Sequence, residues 1–143
     1  MSLLALLFCA ATAFAETRSI GPALAIDIPE GVKVERGEAG DDYLLYSFWK
    51  DGHWLFSIYV GSKAQYPKQL SGAVEKDASG LGLKGRERRV GASREVLLSL
   101  VDGGWPAHAH AFYFEQSDKR ARLADKMIKT IHRPLRGDVI GAR

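Results

Sequence analysis

The stretch Tyr43-Leu44-Leu45-Tyr46-Ser47-Phe48-Trp49-Lys50-Asp51-Gly52-His53-Trp54-Leu55-Phe56-Ser57-Ile58-Tyr59-Val60 decides the fold class. Two aromatic, β-branched runs flank Lys50-Asp51-Gly52, and Asp-Gly signals a tight turn because glycine accepts a positive φ. The stretch reads as a β-hairpin. Alternation along its second strand predicts Trp54, Phe56, Ile58 and Val60 on one face, with Leu55, Ser57 and Tyr59 on the other. Trp49 shares the face of Tyr59, so both faces carry large rings. Either both are covered within the fold, or one presents aromatic surface to a partner.

Upstream, Ala23 to Ile28 predicts a first strand, stopped by Pro29-Glu30-Gly31 and resumed as an edge strand over Val32 to Glu35. Downstream, Pro67 to Ala78 predicts a helix, with Leu70, Ala73, Val74 and Ala78 at helical spacing and Gly80 ending it. Arg86 to Val90 predicts a short exposed strand. A second hairpin follows, with Glu95 to Val101 and Ala107 to Glu115 joined through Asp102-Gly103-Gly104. The last helix is expected from Ser117, its N-cap, to Ile131, with Ala121, Ala124, Met127, Ile128 and Ile131 as the buried stripe. Pro134 forbids continuation, and Leu135 to Arg143 reads as a frayed tail. Strands joined by short glycine turns pair antiparallel. The expected class is therefore α+β: an antiparallel sheet of two hairpins with helices packed on it, like an α/β/α sandwich.

The N-terminus carries a different signal. Leu3 to Ala15 is uncharged and apolar, too short to span a membrane, and ends in the small-x-small Ala13-Phe14-Ala15. It reads as a secretory signal peptide over residues 1–15, cleaved before Glu16. Residues 16–143 then form one domain, expected in the periplasm or secreted. No later segment is apolar enough for a transmembrane span. Cys9, the only cysteine, lies inside the signal, so the mature chain has no disulfide, no thiol nucleophile and no Cys-ligated metal. The full sequence has 46% hydrophobic and 26% charged residues, and without disulfides the core must carry the fold unaided.

The opening Ile26-Asp27-Ile28-Pro29-Glu30-Gly31 and the closing Ala124-Asp125-Lys126-Met127-Ile128-Lys129-Thr130-Ile131, after an aromatic hairpin, resemble the PsbP-like superfamily. That resemblance covers most of the mature chain in element order. It implies a small exported α/β/α sandwich, often non-catalytic and protein-binding, and it transfers no functional residue.

Chemistry-bearing patterns are few. His108-Ala109-His110 places two imidazoles on one strand face, where zinc or copper could be shared given a third ligand from His53, His132 or a carboxylate. Gly80 to Gly85 matches G-x-G-x-x-G but lacks the strand before it and the helix after it. No G-x-S-x-G or H-E-x-x-H motif is present. Positive charge clusters at Lys84, Arg86, Arg88 and Arg89, and again along the last helix, where Arg120 and Lys126 stand. Such a face is solvated or docks an anionic partner; nucleic acid does not suit an exported chain.

The leading expectation is a non-enzymatic exported protein that binds a protein or an anionic envelope component, as an accessory or inhibitor (immunity-like) factor. Trp49, Tyr59, Arg120 and Lys126 are its candidate contact residues. A metal-binding protein built on His108 and His110 is the first alternative. An envelope hydrolase with carboxylates meeting in space is the second.

Overall fold

The computed structural model describes residues 15–37, 39–63, 66, 68–78, 83–100 and 105–134. β1 (Ala15–Ile20) and β2 (Leu24–Pro29) form an antiparallel ribbon that turns at Gly21, where φ is +62°. β3 (Val32–Arg36), β4 (Tyr43–Lys50), β5 (His53–Gly61), β6 (Glu75–Asp77), β7 (Gly85–Val90), β8 (Ser93–Ser99) and β9 (His108–Tyr113) build a second sheet. Its seven strands are antiparallel, in the order β3-β4-β5-β9-β8-β7-β6. One helix, α1 (Asp118–Ile128), ends the described fold.

Both hairpins expected from the sequence are present, β4–β5 through Asp51 and Gly52 at positive φ, and β8–β9 in register from Arg94↔Tyr113 to Ser99↔His108. The fold class is nevertheless mostly β, which corrects the α+β expectation and the sandwich implied by the resemblance. The helix expected over Pro67 to Ala78 is not formed by the described residues 68–78. Lys68–Leu70 makes one 3₁₀ turn, Gly72 takes a φ of +87°, and Glu75–Asp77 becomes the outer strand of the sheet. Ser71-Gly72 weakens the helix at its middle, and the charges beyond it find cross-strand partners instead. Arg86 Nη1 donates to Glu75 Oε1 at 2.8 Å. Val74, one of the residues at helical spacing, is 74% exposed.

A second correction concerns the first hairpin. The register shifts between Phe48 and Trp49, so that Phe48 pairs with Phe56 while Trp49 pairs with Trp54. Leu55 is the additional residue of this β-bulge. Trp54 therefore leaves the face of Phe56 and joins Trp49, Ser57 and Tyr59; its Nε1 donates to Ser57 Oγ at 2.9 Å. Gln116 clamps the bulge by donating from Nε2 to the carbonyls of Trp54, at 2.8 Å, and Leu55, at 3.0 Å. The displaced backbone is thus satisfied.

One face of the large sheet is a continuous core. Phe48, Phe56, Ile58, Val60, Val96, Leu98, Ala109 and Ala111 are buried against Ile20, Leu24, Ile26 and Ile28 of the ribbon and Ala124, Met127 and Ile128 of α1. Phe48 and Phe56 stack with centroids 4.3 Å apart. Ser117 caps α1 as expected, accepting from Arg120 N at 3.5 Å, and each fully buried aliphatic on the helix contributes about 2 kcal/mol. α1 is also pinned by Asp125, which accepts from Tyr113 Oη (2.9 Å), Arg94 Nη1 (2.9 Å) and Arg89 Nη2 (3.0 Å). Burial alone would raise that carboxyl, but the Tyr113 hydroxyl and the two guanidinium groups hold it below its ordinary range.

The opposite face is treated differently. Because β6 lies beyond β7, the chain passes β9, β8 and β7 between β5 and the far edge. The described residues of this connection make a strap: Tyr66 stands edge-on to His110, and Leu70 is buried. Among the described residues no helix is long and apolar enough to cross a membrane. Residues 1–14 with Cys9, Gly80 to Gly82, Val101 to Gly104 and Leu135 to Arg143 lie outside the described residues.

Candidate functional site

The strap face is built by residues of one parity on each strand. Tyr43, Leu45, Ser47 and Trp49 come from β4, Ser57 and Tyr59 from β5, His108, His110 and Phe112 from β9, and Glu95 and Leu97 from β8. The bulge adds Trp54. Most of its rings are half-buried and touch one another: Tyr43 stacks on Tyr59 at 5.4 Å, and Trp54, His110 and Phe114 all contact Phe112. Gly61 lets this row close, because a Cβ there would stand 2.6 Å from the Asp42 carbonyl and 2.7 Å from the Tyr59 hydroxyl.

Beneath the strap lies a polar cluster. Glu95 is 0% exposed and His110 only 5%, yet among the described residues neither carboxylate oxygen nor His110 Nε2 has a hydrogen-bond partner. Their closest approach, Nε2 to Oε1, is 3.4 Å, longer than a good N–H···O bond. Arg88 is directly cross-strand from Glu95, but its guanidinium lies 4.0 Å over the Tyr66 ring and reaches Glu75 Oε2 at 3.7 Å. Arg88 Nε and the Tyr66 hydroxyl are likewise shielded and unpartnered. Burial shapes the protonation of His110, Glu95 and Tyr66. It lowers His110 to about 4, and it raises the Glu95 carboxyl against the opposing pull of Arg88. It also pushes Tyr66 up to about 12, with Glu75 adding to the shift.

His108 and His110 do share one strand face, as the sequence predicts, but they serve different surroundings. His110 contacts Tyr66, Phe112 and Glu95, whereas His108 lines an open cleft of about 600 Å³ with Asp77, Lys84, Leu97 and Ser99. His53 is paired with Lys50 at the far end of β5, about 26 Å along the strand from the position facing His108. His132 pairs with Ala25 on the other side of the sheet. Neither completes a metal site with His108 and His110, and among the described residues no three His, Cys, Asp or Glu side chains converge.

The four candidate contact residues divide between two layers. Trp49 and Tyr59 lie half-buried on the strap face, and the Trp49 indole N–H is shielded without a partner among the described residues. Arg120 and Lys126 lie on α1; Arg120 Nε donates to Gln116 Oε1 at 2.9 Å, and Lys126 is exposed. The fold does not bring the two pairs together. Sequence reading names Arg88 only within a basic cluster and Glu95 only as the start of a strand, and it does not single out Tyr66. Glu95 alone leaves a signal, as an acid opening the apolar run Val96-Leu97-Leu98 on the parity of Leu97. Compared with known proteins, the chain matches no family model, no curated protein and no solved structure.

Proposed function

We propose that the protein is an exported, non-enzymatic module that binds another protein through the aromatic face of its large sheet. One observation carries this reading. The ribbon and α1 bury one face, while Tyr43, Trp49, Trp54, Tyr59, Phe112 and Phe114 remain half-buried on the other. Water-facing rings of this kind are what interface hot spots are made of. An accessory or inhibitory role in the cell envelope fits the apolar leader Leu3 to Ala15 and the small size of the chain.

Site-specific photo-crosslinking in cells tests it, with the crosslinker placed at Tyr59 or at Lys126. Discrete protein adducts from position 59, abolished by Trp49→Ala, are the expected outcome. Adducts from position 126 alone would move the interface to the basic helix and favour an anionic envelope component. The same cells report processing: an exported product whose intact mass begins at Glu16 is expected, and retention of residues 1–15 overturns the export reading.

A further inference from the structure

We propose that His110 Nε2 and the two carboxylate oxygens of Glu95 form a binding site for one divalent transition-metal ion, held between the sheet and the strap. The geometry is the first reason. The two side chains approach to 3.4 Å without a hydrogen bond. In a tetrahedral site with Zn–N and Zn–O near 2.0–2.1 Å, donor atoms on neighbouring vertices stand about 3.3 Å apart. The separation is too long for a good hydrogen bond and right for two atoms sharing an ion.

Satisfaction of the buried atoms is the second reason. Glu95 is fully shielded and His110 nearly so, and three of their polar atoms lack partners among the described residues. An ion would use all three at once, through a bidentate carboxylate and one imidazole nitrogen. The Tyr66 ring stands edge-on to His110 with centroids 6.2 Å apart, and its hydroxyl is shielded and without a partner among the described residues. Imidazole with carboxylate suits zinc, copper or nickel rather than calcium or magnesium. The site is distinct from a His108–His110 pair, because His108 faces the open cleft. It is also independent of the protein-binding reading, which concerns the exposed rings.

Tag-free, chelator-treated protein is titrated with zinc chloride, with stoichiometry read by calorimetry and metal analysis. One zinc per chain is expected. Glu95→Gln and His110→Gln should each weaken binding about 100-fold or more, while His108→Gln stays within about threefold. Cobalt(II) should give the absorption of a tetrahedral nitrogen–oxygen site in the wild type and in His108→Gln, but not in Glu95→Gln. Should His110→Gln fail to fold, ¹⁵N-histidine spectra of the wild type replace it, with zinc shifting the His110 ring and leaving His108 unmoved. Absence of binding up to about 1 mM zinc, an unimpaired Glu95→Gln, or a shift confined to His108 each overturns the site.

Discussion

The two faces of the large sheet bury charge in opposite ways. On the helix face, Asp125 is half-buried and accepts three hydrogen bonds, while Arg94, with its side chain 5% exposed, spans Asp125 and Glu87. Asp125, Arg94, Arg89 and Glu87 each have an opposite charge in direct contact there. On the strap face, Glu95 is more deeply buried than Asp125, and nothing among the described residues donates to it. A satisfied buried network holds elements in place, whereas an unsatisfied one costs stability. The helix face therefore pairs its buried charge, whereas the strap face leaves Glu95 unpaired among the described residues.

The largest effect should come from breaking the satisfied side. Asp125→Ala leaves Arg94 Nη1 and the Tyr113 hydroxyl without their acceptor, and should cost about 3–5 kcal/mol in denaturant unfolding. A loss under about 1 kcal/mol would mean that the network is decorative.

Acid titration sharpens the contrast next. His110 is held at about 4 by burial, against an ordinary 6.5, so in metal-free protein it stays neutral where a free imidazole charges. A depressed folded value means that its contribution is full above pH 6.5 and is lost as pH falls toward 4. Over that window the loss amounts to about 3 kcal/mol. Glu95 works the other way, because a raised carboxyl takes up its proton more readily folded than unfolded. Glu95→Gln should therefore steepen the loss of stability between pH 6.5 and 4. An NMR midpoint for His110 near 6.5 would show that the strap does not seal the cluster.

The smallest expected effect is the most diagnostic. Glu95→Gln removes a fully buried carboxylate that holds no hydrogen bond, and at pH 7 should change stability by about 1 kcal/mol or less, in either direction. If it instead destabilises as much as Asp125→Ala, the two faces are equivalent and the comparison fails.

Local patterns carried much of this fold. Asp51-Gly52, the alternating apolar strands, Ser117 as a cap and the stripe Ala124-Met127-Ile128-Ile131 act over a few residues, so the hairpins and the last helix are readable from their own segments. His108 and His110 fall on one strand face for the same reason of period two. Three matters needed the tertiary structure. Pro67–Ala78 has helical spacing, but the sheet edge beside β7 offered Glu75 and Asp77 a better use, with Arg86 and Arg88 waiting across from them. Trp54 changes faces at a bulge held by Gln116, 62 residues away in sequence. The cluster of Tyr66, Arg88, Glu95 and His110 comes from a strap and three different strands. What the sequence by itself determined is which segments turn, alternate and cap, because those preferences are local. Which face stays open, and which buried groups meet beneath it, was decided only by strand order, because that order sets where the chain must cross.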